Sequence, residues 1–135
     1  MGRYDKWDDG PVNTGLKILE SIDYSLCHED SPEHRFYTQS MLHNMICNYL
    51  FLNKNINLEK ICRHIPKRIG GRTTIYEVLT QGIGSGLLKK QSDDLDKRLR
   101  IYSLGDRLLD HIEESWVKPF EYIGVNDERL LSKKK

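Results

Sequence analysis

The chain has 135 residues and a mass of 15.8 kDa, which is enough for one hydrophobic core but not for two. Hydrophobic residues make up 38% and charged residues 30%, a balance that excludes a low-complexity or disordered chain. No apolar run approaches the ~18 residues of a membrane span, so no membrane partner is expected. The first ten residues lack the basic and then apolar segments of a secretory signal, and three cysteines cannot all pair with one another. We therefore expect a cytoplasmic protein.

Basic residues are concentrated in the middle of the chain, although the formal net charge is only +1. Residues 55–107 carry 11 Lys and Arg against 6 Asp and Glu, a net charge of +5. The segments on either side, residues 1–54 and 108–135, carry net charges of −3 and −1. This asymmetry predicts an anionic partner for the middle of the chain.

Residues 1–12 contain two glycines and a proline without periodicity, which indicates an N-terminal arm. A first helix is predicted from Asn13 or Thr14, either of which is able to cap it. Its apolar residues recur at the helical spacing of three or four, and they are Leu16, Ile18, Leu19, Ile22 and Leu26.

A second helix is predicted from Ser31 or Pro32 to about Asn53, because proline and acidic residues occupy its first turn. At ~100° per residue, Cys47 lies about 160° from the centre of its apolar stripe. The expected inner face consists of Met41, Leu42, Met45, Ile46, Tyr49, Leu50 and Leu52.

Two short helices joined by a tight turn follow. The first is capped by Asn57 and stopped by Pro66, and after "KRIGG" the second begins near Arg72. Their inward residues are Leu58, Ile61, Cys62 and Ile65 in the first helix and Ile75, Val78, Leu79 and Ile83 in the second. This order predicts a helix-turn-helix.

A β-hairpin is predicted next, with strands in "GLLKKQ" and "KRLRIYSL" and the polar turn "SDDLD" between them. In the second strand one face would carry Leu99, Ile101 and Ser103, and the other Arg98, Arg100 and Tyr102. We expect the first face to hold the hairpin to the core and Ser103 to cap a last helix. The residues with which that helix packs are Leu108, Leu109, Ile112 and Trp116.

These elements, in this order, resemble the winged-helix transcription regulators of the multiple-antibiotic-resistance regulator (MarR) type. "TTIYEVLTQGIGSGLLKK" matches the recognition helix that ends in a Gly-Leu pair, and "DKRLRIYSL" matches the far side of the wing, with Asp96 and Arg98 on the Asp-x-Arg positions and Leu104 on the helix-opening Leu. Gly82 and Gly105 depart from the pattern, since a large apolar residue and a Thr are usual there.

The resemblance implies a mainly α fold with a small β-hairpin, a winged helix-turn-helix whose N- and C-terminal helices dimerise. Residues 13–130 would form this DNA-binding domain, residues 1–12 an arm and residues 131–135 a basic tail. The apolar side chains of the first helix and of "FEYIG" after Pro119 have no obvious partner in so small a domain, which also favours a homodimer.

The candidate DNA-binding residues lie on the fourth helix and on both sides of it. The helix face opposite the buried stripe is expected to reach base edges, and it carries Arg72, Thr73, Tyr76, Glu77 and Thr80. Cations expected to hold phosphates or enter the minor groove are Lys67, Arg68, Lys89, Lys90, Lys97, Arg98 and Arg100. The alternative is that these charged side chains only solvate an exposed surface. Asp96 is expected to orient Arg98 through a local ion pair.

A metal site is not expected. His43 and Cys47 are four residues apart on a helix, and Cys62 and His64 form a C-x-H, but these spacings match no familiar zinc site.

Enzymatic activity and a cofactor are not expected either. "GIGSG" lacks the preceding strand of a dinucleotide-binding loop, and no nucleophile, base and orienting acid occur at a recognisable spacing. Cys27 would be a redox-sensing thiol if the adjacent His28 or a local cation lowered its pKa, but we favour the interpretation that the two residues are neighbours by chance.

The sequence therefore predicts a sequence-specific, double-stranded DNA-binding transcription regulator, a dimeric repressor, with an effector molecule of unknown identity left open. The alternative is a winged helix used as a protein-protein interaction module, in which the same basic face binds an acidic partner.

Overall fold

The computed structural model describes residues 9–28 and 30–119. The chain divides into two compact units, Met1–Glu29 with His111–Lys135, and Asp30–Asp110. Most of the described residues are helical, and three short strands form one antiparallel sheet. The predicted fold class is thus confirmed. "FEYIG" and the basic tail lie outside the described residues.

The first unit contains helix α1 (Asp9–Cys27). Helix α6 (Asp106–Ile112) begins in the second unit, and its last two residues belong to the first, where it continues as a π-helical turn, Glu113–Val117. Helix α1 begins four residues before the predicted cap, so residues 9–12 are helical rather than part of an arm. Pro11 lies in the first turn, where a backbone N–H has no intrahelical partner, so the proline removes no helical hydrogen bond. Two buried serines join the packed helices, since the Ser21 hydroxyl donates to the Ser115 carbonyl.

In the second unit, the single helix expected from residue 31 to residue 53 is two helices, α2 (Pro32–Thr38) and α3 (Met41–Leu52). Each has its own serine cap, because the Ser31 side chain accepts from the His34 N–H and the Ser40 side chain from the His43 N–H, both at 3.1 Å. Ser40 has extended backbone angles, which end the first helix and start the second.

The inner face of α3 also differs from the prediction. Leu42, Ile46 and Leu50 are buried as expected, but Met41 and Leu52 are 67% and 74% exposed. Cys47 is completely buried, although the apolar pattern places it on the opposite side. The reason is that α2, α5 and β3 all pack against α3, so its buried arc is wider than one apolar stripe.

The helix-turn-helix is confirmed as α4 (Leu58–His64) and α5 (Arg72–Gly84). The Asn57 side chain caps α4 by accepting from the Lys60 N–H at 2.9 Å. At the end of α5, Gly86 has a φ of +77°, a left-handed conformation that favours glycine. The buried apolar residues of the pair are Ile61, Ile75, Val78 and Leu79, whereas Leu58, Cys62 and Ile83 are half-buried.

The sheet has the order β1-β3-β2, with β1 (Ile56–Asn57), β2 (Leu88–Ser92) and β3 (Arg100–Leu104). The sequence does not predict β1, because two residues carry no alternation to recognise. Strands β2 and β3 form the expected hairpin, called the wing below.

The buried face of β3 is the opposite of the predicted one. Tyr102 and Leu104 are buried, Ile101 is half-buried, and Leu99 lies before the strand with 40% of its surface exposed. The alternation of side chains along the strand is compatible with burial of either face. The pairing of strands decides which face is buried, because buried Ile56 of β1 lies opposite Tyr102, and buried Leu88 of β2 lies opposite Leu104.

Ser103 does not cap the last helix, because it lies within β3 and α6 begins at Asp106. Gly105 makes the link between them. A Cβ at this position would lie 2.8 Å from the Leu87 carbonyl oxygen and 2.9 Å from that of Gly86, and the Gly105 N–H donates to the Leu87 carbonyl at 2.7 Å. This close backbone approach explains the departure from Thr.

Candidate DNA-binding surface

All twelve predicted site residues are exposed, and all lie in the second unit. Ile75, Val78 and Leu79 of α5 are buried on one face of the helix, because residues spaced three and four apart lie on the same side. The opposite face presents polar side chains to solvent, namely Arg72, Thr73, Tyr76, Glu77 and Thr80. A side chain on such a face can reach the base edges of a major groove.

Lys67 and Arg68 lie in the turn before α5, which is closed by an Ile69 N–H to Pro66 carbonyl hydrogen bond of 2.9 Å. Gly71 caps α5 without a side chain, so the partial positive charge of the helix N-terminus adds to these two cations. Neither side chain forms an ion pair or a side-chain hydrogen bond within residues 9–28 and 30–119. This turn is therefore a positively charged corner beside the exposed helix face.

Arg72, at the start of α5, forms an ion pair with Glu59 of α4. The hydrogen bond from its guanidinium to the carboxylate raises the pKa of Arg72 further above its ordinary value. More than half of each side chain is exposed, so water screens the pair and exchange for a phosphate oxygen has a low cost.

The wing carries the other five predicted cations. Lys89 Nζ lies 3.1 Å from Asp106 Oδ1, and Arg98 Nε lies 3.4 Å from Asp96 Oδ1, which confirms the expected local pair. Arg100 donates at 2.9 Å to Ser92 Oγ and at 2.8 Å to the Lys97 carbonyl oxygen, so it braces the wing. The side chains of Lys90 and Lys97 form no ion pair within the described part of the chain.

The tip of the wing is acidic. Asp93, Asp94 and Asp96 surround Leu95, which is 97% exposed. The Asp93 side chain accepts from the Leu95 N–H at 2.9 Å, and that of Asp96 accepts from the Arg98 N–H at 3.0 Å, so both carboxylates stabilise turns. Cations on the flanks of the wing, rather than its tip, are therefore suited to phosphates.

Tyr102 of the wing is buried and lies near the exposed Tyr76 of α5. Burial raises the pKa of Tyr102, the neighbouring Tyr76 raises it further, and Arg100 opposes both. The phenol of Tyr102 therefore lies within electrostatic range of one helix residue and one wing residue of the predicted site. Tyr102 is not among the predicted site residues, and the structure places it in the core of the second unit.

The cysteines and histidines do not assemble a metal site in the described residues, where no group of three or more His, Cys, Asp or Glu could hold an ion. Burial raises the pKa of the Cys47 thiol to about 12 and also raises that of Cys62. Cys27 is exposed. Helices long and apolar enough to cross a membrane are absent from the described segments.

A helix-turn-helix followed by a two-stranded wing defines the class of winged-helix proteins. Three solved structures share this fold. Transcriptional regulator Tm0710 from Thermotoga maritima aligns with a TM-score of 0.54 at 12% identity, over 87% of this chain and 74% of that one. The structure of NadR in complex with 4-hydroxyphenylacetate aligns with a TM-score of 0.52 at 17% identity, over 99% of this chain and 89% of that one. Transcriptional regulator PA4135 gives 0.50 at 12% identity, over 88% of each chain.

These three proteins are MarR-type regulators, so the resemblance seen in the sequence is confirmed at the level of the fold. No protein-family model and no curated protein sequence matches the chain.

Proposed function

We propose that this protein is a dimeric regulator that binds double-stranded DNA sequence-specifically and represses transcription. The observation that carries the proposal is one exposed, polar face of α5 with cations on both sides of it that form no ion pair among the described residues. Lys67 and Arg68 lie in the turn before the helix, and Lys90 and Lys97 lie on the wing. In this arrangement α5 enters the major groove, and the flanking cations neutralise the phosphates along it.

Salt dependence tests DNA binding directly. Each phosphate contact contributes about −0.9 to the slope of log K against log salt, so four such cations in each of two protomers predict a slope of about −7. The duplex is obtained by selection from a random pool, and we expect an inverted repeat. A weak, salt-insensitive interaction with every duplex would contradict the proposal.

The proposed dimer rests on α1, because all five of its predicted apolar residues are at least 39% exposed in the single chain. Leaving such a stripe in water is unfavourable, and a second copy of the same stripe would cover it. Sedimentation at micromolar concentration should give twice 15.8 kDa.

The double variant Leu19→Glu, Ile22→Glu should sediment as a monomer and bind the inverted repeat more weakly, since charges replace the apolar stripe. Met41→Glu is the matched control, because Met41 is also an exposed apolar residue, on α3 in the other unit. A parent protein that is strictly monomeric would contradict the dimer and remove the basis for a two-fold operator.

The second candidate function is a protein-protein interaction module. The acidic wing tip favours it, because an exposed Leu95 among three aspartates suits a protein surface better than a phosphate-lined groove. Leu95→Ser should leave DNA affinity unchanged if DNA is the partner of this unit.

A further inference from the structure

Three side-chain hydrogen bonds join the N-terminus of α3 to the C-terminal half of α5, and the peptide bond between Gln39 and Ser40 closes them into a ring. His43 Nδ1 lies 2.7 Å from Ser40 Oγ, and His43 Nε2 lies 3.0 Å from Gln81 Oε1. Gln81 Nε2 in turn lies 2.9 Å from Oε1 of Gln39, the residue before Ser40. Four side chains therefore connect the α2–α3 link, α3 and the helix that carries the proposed base contacts.

The donors and acceptors of this ring all run in one direction. The Gln81 amide oxygen can only accept, so the hydrogen of a neutral His43 imidazole is on Nε2 and is donated to it, while the Gln81 amide nitrogen donates to Gln39. His43 Nδ1 then accepts from the Ser40 hydroxyl, whose oxygen also accepts from the His43 backbone N–H. Aligned hydrogen bonds of this kind strengthen one another, and the loss of one member leaves polar atoms of its neighbours unpaired.

The ring adds a directional contact to the apolar contacts of α5. Burial of Ile75, Val78 and Leu79 decides which face of α5 is turned to the core, whereas a hydrogen bond also has a preferred direction. Gln81 lies one turn after Glu77 and two turns after Thr73, so all three are on the same row of the helix. A hydrogen bond to the Gln81 amide therefore also restrains the rotation of this row about the helix axis.

His43 is suited to be the fixed end of this connection. It is only 7% exposed, and its ring meets that of Phe36 edge-on, with 5.1 Å between centroids. Gln81, by contrast, is an exposed side chain on the outside of α5. A rigid, buried donor thus holds a side chain that is otherwise free to rotate.

We propose that His43 is a positioning residue that restrains the rotation of α5 through Gln81, and that discrimination between DNA sequences depends on this bond. The inference rests on the proposed function. Phosphate contacts are made by other residues, so loss of the bond should reduce the preference for the selected duplex and leave general DNA binding intact.

The measured quantity is the ratio of affinities for the selected duplex and for a scrambled duplex of the same length, at fixed salt. We expect His43→Leu and Gln81→Ala each to lower this ratio by about tenfold, and the double variant to lower it no further, because both remove the same bond. The salt slope for the scrambled duplex should not change. His43→Gln, which can place its amide nitrogen near the position of Nε2, should keep the ratio within about threefold of the parent.

Tyr37→Phe is the matched control. Tyr37 is buried, and its hydroxyl donates to Asn48 Oδ1 at 2.8 Å, a bond between α2 and α3 that does not involve α5. Its loss should lower the melting temperature without changing the affinity ratio. Gln81→Ala keeps the test decisive if His43→Leu does not fold.

If Gln81→Ala keeps the affinity ratio of the parent, this inference is overturned but the proposed function is not, since the parent still discriminates between duplexes. A parent that binds no duplex, or all duplexes equally, overturns the proposed function and the inference together.

Discussion

The Arg98→Ala, Arg100→Ala double variant should bind the selected duplex more weakly than the parent by about 2 to 6 kcal/mol, which is a loss of about thirtyfold at least. Both guanidinium groups lie on the wing and are exposed, and the present partner of Arg98 is a solvent-screened aspartate. Exchange of that partner for a base edge or a phosphate is therefore inexpensive. The variant should also lose sequence preference beneath the wing if either group reads a base edge.

Two controls separate this effect from damage to the wing. Lys97→Ala should weaken binding to all duplexes alike and lower the salt slope by about one unit for each phosphate that the lysine neutralises. Leu99→Ala should change neither affinity nor stability much, because Leu99 is 40% exposed and the wing is held by Tyr102 and Leu104 instead. Arg100 also braces the wing, so the melting temperature of the double variant must match the parent. Unchanged affinity at equal stability would favour the interaction module.

Gly82→Leu should lower the free energy of unfolding by about 2 kcal/mol or more, although leucine is the better helix former by about 1 kcal/mol. A Cβ at position 82 would lie 2.5 Å from Cγ and Cδ1 of Leu88 and 2.9 Å from Cζ of Phe36. Both neighbours are buried, so neither can move aside without disturbing the core. Overpacking therefore outweighs helix propensity, and denaturant titration measures the difference.

Gly84→Ala is the matched control on the same helix. Apart from its chain neighbours and the backbone of α5, no described atom lies within 4 Å of a Cβ built at position 84, so this variant should gain up to about 1 kcal/mol of stability. Gly82→Leu combined with Leu88→Ala should recover part of the loss, because the second change vacates the volume that the first one needs. A Gly82→Leu protein as stable as the parent would mean that Leu88 and Phe36 do not close this space.

The contact at Gly82 also explains why this position departs from the family pattern. The space that a larger side chain at position 82 would need is occupied by Leu88 from the wing and Phe36 from α2. The departure is visible in the sequence but its cause is not, because the three residues are brought together only by the fold.

Several parts of the fold were determined by signals that act within a few residues of one another. The Asn57 cap, the Pro66 stop and the period of Ile75, Val78 and Leu79 predicted α4 and α5, because capping and helical periodicity are local properties. The same locality made the exposed face of α5 and its flanking cations predictable, since the polar face of a helix follows from its apolar one.

Tertiary structure decided what depends on residues distant in the chain. The sequence did not predict the break at Ser40, because the expected inner face begins only at Met41 and tests no continuity across it, and Cys47 is buried because other elements surround α3. The buried face of β3 was set by its partners, since a period of two fits either face until Ile56 and Leu88 are paired with it. The link from His43 to Gln81 joins residues 38 positions apart, and no spacing along the chain predicts it. Local patterns therefore specified α4, α5 and the two faces of α5, whereas contacts between distant residues specified the buried faces of α3 and β3.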